Sequence, residues 1–341
     1  MPRPSRRLWI GVGLLVAVLA VAAWQSSRLA PHEEPIYGSA DSQRPGSVWT
    51  WNGSDYTQLA ATRSGPHSSS ADMAYDAARS LLVLWDHGCG QVRPGFDGGC
   101  QGRVDTTWTW DGSAWTARHT TSSPREEGPG TMLYDSRLRQ VVYVNGSGQA
   151  WAWNESGWTR VARTGAPAIA SPGTLSKAPL STFAAGYDEG RGALVLARSD
   201  ATWLWDGSRW TSVAGGIDYA DAGSSAQLVY DRAHRQLVYL GKRYTWTWAG
   251  AGWQRHDQPQ LSAGSLGYDP VRQQVVFVEQ DAASCSRTAC QTRTWTWNGE
   301  SWSASPVAHP VLLPLTRFGS STPPMAFDPA RGTLLLFVSA N

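Results

Sequence analysis

Lysine is almost missing from this chain. Only Lys177 and Lys242 occur, so nearly all of the 29 basic side chains are arginine. Charge of either sign is sparse, with 16% charged residues and a formal net charge of +2. No basic run exists beyond Arg3, Arg6 and Arg7, which excludes a nucleic-acid partner held by a basic face. The chain also lacks a G-x-S-x-G elbow, an H-E-x-x-H pair and a phosphate-binding glycine loop, so none of those chemistries is expected. Cysteine is scarce: four residues form two close pairs, Cys89 with Cys100 and Cys285 with Cys290. Long apolar stretches are scarce too, and the one that stands out runs from Leu8 to Trp24.

That stretch follows the three arginines, an arrangement that sets the N-terminus inside and the remainder outside. Its 17 residues (8 to 24) lie at the short end of what spans a bilayer, which permits a single-pass anchor. Ala20-Val21-Ala22 also resembles a signal-cleavage site, which permits a secreted protein. Both readings stay open, and both place the bulk of the chain outside the cytoplasm. The expected organisation is a cytoplasmic basic segment over 1–7, an apolar helix over 8–24 and a linker over 25–46. One folded domain then fills 47–341, and the membrane is touched through the N-terminal segment only. An even cysteine count in an exported chain reads as disulfides. Four cysteines allow three connectivities, and pairing within each close pair is favoured because each pair sits in one loop.

What the chain has in abundance is 20 Trp, 35 Gly and 20 Pro, a composition suited to strands and turns. Self-comparison explains the tryptophans. A pattern W-x-W-[D/N]-G-x-x-W, or a near variant, occurs six times, beginning at Trp49, Trp108, Trp151, Trp203, Trp246 and Trp295. A second pattern, an aromatic residue followed by Asp and then an apolar run, occurs at Tyr75-Asp76, Tyr134-Asp135, Tyr187-Asp188, Tyr230-Asp231, Tyr268-Asp269 and Phe327-Asp328. The two alternate strictly. In the first, tryptophans at i and i+2 share one face of a strand, an Asn-Gly or Asp-Gly turn reverses the chain, and the third aromatic returns opposite the second. In the second, Asp76 to Arg79 make a turn, and Leu81 to Trp85 form a strand apolar on both faces. Two hairpins give four strands, repeated about every 49 residues, the size of a propeller blade.

The fold class expected is therefore all-β: a six-bladed β-propeller with four-stranded blades, preceded by one N-terminal apolar helix. The domain begins with a W-x-W hairpin at Trp49 and ends with an aromatic-Asp hairpin at Leu334 to Phe337. Ring closure by the N-terminal hairpin completing the C-terminal blade removes the free sheet edge.

The stretches Met73-Ala74-Tyr75-Asp76-Ala77-Ala78-Arg79 and Thr107-Trp108-Thr109-Trp110-Asp111-Gly112 resemble Kelch repeats, as in the central propeller of galactose-oxidase-like proteins. The glycine pair usual after the second strand is replaced here, by Asn145-Gly146 in one repeat and Glu279-Gln280 in another. The copper-binding Tyr and His residues of galactose oxidase match no position, so no cofactor and no metal are expected.

Loop lengths are uneven. The turns inside both hairpins are short, while Asp86 to Thr106, Glu279 to Arg293 and Arg160 to Ala185 are long connections. In a propeller the long connections emerge on one face, and binding residues concentrate on loops held by a rigid scaffold. Seventeen tryptophans occupy repeat positions and read as blade core. Trp85, which ends a strand, is the one placed to be exposed near the loop face. His87 lies in a cysteine loop, and His67, His119, His256 and His309 fall in connections between blades, so five histidines are expected on one face. Asp72, Asp218 and Asp221 lie just ahead of, or within the approach to, innermost strands. The ligand-binding candidates are Trp85, His87, Asp72, Asp218 and Asp221, with no catalytic residue assigned. The function these readings favour is a non-catalytic recognition module outside the cytoplasm, binding an extracellular protein or glycan through the long-loop face. The alternative is an extracellular carbohydrate-active enzyme with those acids at the mouth of the central channel.

Overall fold

The computed structural model describes residues 45–341 apart from 60–63, 68–69, 93–99, 125–129, 163–182, 219, 222–225, 317–318, 321 and 340–341. The basic segment, the apolar helix and nearly all of the linker lie outside the described residues. Among the described residues no helix is long and apolar enough to cross a membrane.

The two sequence patterns form the two hairpins of each blade. From the ring axis outward, blade 1 is Ala71–Asp76, Leu81–Asp86, Thr106–Trp110 and Trp115–Arg118, all antiparallel. Blade 2 runs from Gly130–Asp135 to Trp158–Ala162, blade 3 from Phe183–Asp188 to Trp210–Gly215, and blade 4 from Gln227–Asp231 to Trp253–Asp257. Blade 5 starts at Gly264–Asp269 and carries Trp302–Ser305 outermost. The innermost strands touch one another in order, and that of blade 6, Met325–Asp328, touches that of blade 1.

Blade 6 is assembled from both ends of the domain. Ser47–Trp51 pairs with Thr333–Val338 in the register Trp49↔Leu336, and the Thr333 hydroxyl donates to the Trp51 carbonyl. The expected closure is thus present.

Second strands are buried on both faces, as their continuous apolar runs require: Val83, Val142, Val195, Val238, Val276 and Leu335 are all 0% exposed. The second Trp of each W-x-W lies opposite the third aromatic, as in Trp110↔Trp115 and Trp297↔Trp302. Their ring centroids lie between 4.8 Å (Trp51–Tyr56) and 6.1 Å (Trp110–Trp115) apart. The third aromatic also ties its blade to the one before. Trp158 donates to the Thr107 hydroxyl at 2.9 Å, Trp253 to that of Thr202 at 2.7 Å and Trp302 to that of Thr245 at 2.8 Å. Tyr56 meets Thr294 the same way at 2.8 Å, and Trp210 uses the Gly148 carbonyl, because Ala150 stands where the others have Thr.

The repeated Asp also crosses between blades. Asp76, Asp135, Asp188, Asp231 and Asp269 are 0% exposed and Asp328 2%. Each caps its turn by accepting backbone N–H groups two or three residues on, and most bind a basic side chain in the same turn. That basic side chain lies against the outer turn of the next blade. Arg331 donates to the Gly112 carbonyl at 2.6 Å and lies over Trp110, while Arg79 pairs with Glu155 at 2.6 Å. Gly112 is required twice over: its φ is +100°, and a Cβ there would sit 2.6 Å from the Arg331 guanidinium. In blade 4 His234 replaces the Arg, bonding Asp231 at 2.7 Å and packing on Gly299.

Two connections differ from expectation. In blade 5 the second strand reaches Gln280 and the third begins at Ala289, so both ends of the span from Glu279 to Arg293 are strand, with one short turn of helix at Ala282–Ser284 between them. An annex strand, Leu312–Thr316, pairs with Ala289 to Gln291, and Cys285 is disulfide-bonded to Cys290 beneath it. In blade 1 Cys89–Val92 and Cys100–Arg103 pair as a small hairpin, but their side chains, and hence the expected bridge between Cys89 and Cys100, lie outside the described residues.

Candidate functional site

Turns from first to second strand and from third to fourth open on one end of the ring. Connections from second to third strand, and from blade to blade, open on the other. On that loop end three acids outside the repeat pattern hold connections in place, and each does so by accepting an indole N–H.

Asp221 comes from the connection between blades 3 and 4 and is 0% exposed. One carboxylate oxygen accepts the Arg243 and Tyr244 backbone N–H groups and the other accepts the Trp246 indole, while the Asp221 carbonyl accepts the Lys242 N–H at 3.0 Å. It therefore shapes the turn from Gly241 to Arg243. Glu279, 1% exposed, accepts the Trp295 indole at 2.8 Å and the Ser262 N–H at 2.6 Å. Asp105 accepts the Trp85 indole at 2.9 Å and the Ser123 hydroxyl at 2.7 Å.

The five candidate residues fall into two groups. Asp72, Trp85 and His87 meet at the loop end between blades 1 and 2: His87 bonds Asp72 at 2.9 Å and its ring lies 4.4 Å from that of Trp85. Burial works against charging the His87 imidazole, but the Asp72 hydrogen bond and the charges of Asp72 and Asp86 outweigh it and raise its pKa. Trp85 itself corrects an expectation. It is buried at 2%, because Tyr143 of blade 2 closes edge-on against it at 4.9 Å. Asp218 and Asp221 meet at blade 4. Asp221 is consumed by the turn it shapes, and Asp218 is exposed, 3.8 Å from Arg243. The five histidines do not gather: His256 lies in the outermost strand of blade 4 on Thr247, and His309 bonds Asp55 in an outer turn on the opposite end of the ring. Among the described residues no group of His, Cys, Asp or Glu has the makings of a metal site.

Two features escaped the sequence reading. The first is a guanidinium pair on a phenol ring: Arg255 lies 4.5 Å and Arg243 5.5 Å from the centroid of Tyr244. The second is an open cleft of about 420 Å³ at the outer rim of blade 2, lined by Ser122, Trp151, Trp158, Thr159 and Arg160, with Arg160 over the Trp151 ring at 5.2 Å. Both had a signal. Opposite the first Trp of the repeat, four blades place Ala117, Ser212, Ala304 and Gln58. Only blades 2 and 4 place arginine there, Arg160 and Arg255.

Comparison with known proteins gives likeness of fold. No family model matches the chain, and no curated protein matches it. Among solved structures it is similar to YCF48 bound to D1 peptide, at 11% identity and a TM-score of 0.40 over 80% of this chain and 95% of that one. It is similar to the SapL1 lectin in complex with alpha methyl fucoside, at 15% identity and a TM-score of 0.43 over 80% and 99%. A third is the extracellular domain of a putative hybrid two component system from B. thetaiotaomicron, at 9% identity and a TM-score of 0.40 over 81% and 37%. The protein is a six-bladed β-propeller.

Proposed function

We propose that this propeller is a non-catalytic recognition module, displayed outside the cytoplasmic membrane on its N-terminal segment or secreted, that binds a protein or glycan through its loop end. The observation that carries this reading is the set of three acids, Asp105, Asp221 and Glu279, each spending its carboxylate on an indole N–H to fix a connection. Loops fixed before a ligand arrives need not be ordered on binding, and that saving is what a recognition surface needs. The same bonds leave Asp221 engaged on both carboxylate oxygens. We also propose kinship with Kelch propellers, on the aromatic-Asp and W-x-W patterns.

The test is a thermal-shift screen of the full chain against glycans, divalent metals and extracts of envelope proteins. A ligand at a hundred times its dissociation constant stabilises by about 2.7 kcal/mol, a shift of several degrees. Stabilisation without turnover supports the reading. Hydrolysis of a glycan that is lost in Asp72→Asn or Asp218→Asn would instead establish the carbohydrate-active alternative.

A further inference from the structure

We infer that the loop end of blade 4 is a subsite for an acidic sugar, a saccharide unit carrying one carboxylate and several hydroxyls. This rests on the recognition reading above and assigns its ligand class.

The subsite is built from Arg243, Tyr244 and Arg255, with Asp218 and Asp257 beside them. Tyr244 and Asp257 are cross-strand partners, as are Trp246 and Arg255, so Tyr244 and Arg255 share one face of the blade with Asp257. Both guanidiniums lie within cation–π reach of the half-buried Tyr244 ring, and each carries N–H donors. Arg243 is 50% exposed, and Lys242 and Arg255 are exposed too. Asp221 fixes the turn from which Arg243 projects, so the pair is positioned before a ligand binds. An ordered, exposed guanidinium pair fits a carboxylate through paired N–H donors.

The two acids decide which carboxylate. Asp218 lies 3.8 Å from Arg243 with 57% of its side chain exposed, and Asp257 is exposed on the same strand as Arg255. Beside three cations they leave a net charge of about +1. An excess of one positive charge balances a single oxyanion and offers a dense polyanion little further attraction. Carboxylates also accept hydrogen bonds and cannot donate them, so a ligand that displaces water from Asp218 and Asp257 is favoured when it brings donors of its own. Vicinal hydroxyls beside a carboxylate supply both at once, which is the chemistry of a uronic acid. An acidic peptide brings more carboxylates where the site already has two.

The experiment titrates the full chain with digalacturonate, with the corresponding neutral digalactoside and with a tetraglutamate peptide, followed by calorimetry. The wild-type protein is expected to bind digalacturonate at least tenfold more tightly than either of the others. The double variant Arg243→Gln/Arg255→Gln, altered only at exposed positions, is expected to lose that preference while keeping its melting temperature. Asp218→Asn is expected to weaken the uronate without restoring peptide binding. Equal binding of the neutral sugar, undiminished in the double variant, overturns the acidic-sugar assignment and leaves glycan recognition standing. Preference for tetraglutamate overturns it in favour of a protein partner. Absence of binding to all three overturns it as well, and the screen of envelope extracts then judges the broader reading separately.

Discussion

Arg191 of blade 3 reaches across to blade 4, where its guanidinium lies 4.5 Å from the centroid of the Trp248 ring and donates to the Ala249 carbonyl at 3.1 Å. The same side chain neutralises Asp188, which is 0% exposed. One arginine thus serves its own turn and its neighbour's. Truncation to Ala leaves a buried carboxylate whose charge has lost its partner, and the expected cost is about 3 kcal/mol. Urea denaturation of Arg191→Ala measures it. A change within 0.5 kcal/mol of zero would mean that the latch is decorative.

The ring has one weak joint of the indole-to-threonine kind. Trp115 of blade 1 is the counterpart of Trp158 and Trp302, yet its buried indole N–H has no partner among the described residues. The strand that should supply a hydroxyl carries Val48 where the blade-1 strand facing Trp158 has Thr107. Val48→Thr is expected to stabilise the fold by about 1 kcal/mol, and Thr107→Val to cost about 1–3 kcal/mol. Paired melting curves decide the matter, and destabilisation by Val48→Thr would show that packing of the lost methyl outweighs the new bond.

His87 supplies a pH dependence. Its folded-state pKa is raised, so the Asp72 contact stabilises the folded chain fully below the unfolded value near 6.5 and is lost as pH rises through the folded value. Amide exchange around residue 87 is therefore expected to speed up above about pH 6.5 beyond its ordinary base catalysis. In Asp72→Asn that extra dependence should vanish, and NMR titration should show a lower pKa for the imidazole. An unchanged titration in the variant would remove Asp72 from the explanation.

Asp221→Asn tests whether that acid is an anchor. An amide keeps one oxygen for the Arg243 and Tyr244 N–H groups but turns an NH2 toward the Trp246 indole, donor against donor. The expected loss is about 2–3 kcal/mol, with exchange of the Arg243 and Tyr244 amides released first. Loss of a catalytic rate with stability intact would assign Asp221 a different role.

The periodicity made the ring legible, since strand number, turn positions and the shared closing blade all follow from residues that recur. Packing between repeats was less so. Asp76 and Arg79 read as a pair within one turn because sequence spacing speaks for neighbours along the chain, while the reach of Arg79 to Glu155 depends on how blades face one another. Trp85 misled for the same reason: its strand ends there, but Tyr143 of the next blade covers it. Asp218 and Asp221 were singled out by position alone, and the side chains that give them meaning, Arg243, Tyr244 and Trp246, were masked by their resemblance to an ordinary repeat. Arg255 and Arg160 stand out only once strand register shows what occupies the equivalent place in the other blades.

The shared blade sets a clock. Trp51 must wait for Thr333, which lies 282 positions further along the chain. At 5–20 residues per second the ribosome needs roughly 15 to 60 s to deliver it. Throughout that interval the first hairpin has no sheet to join, and its tryptophans face solvent or a chaperone. The ring therefore closes no earlier than the making of Thr333, and a chain exported while still unfolded would lose nothing by waiting.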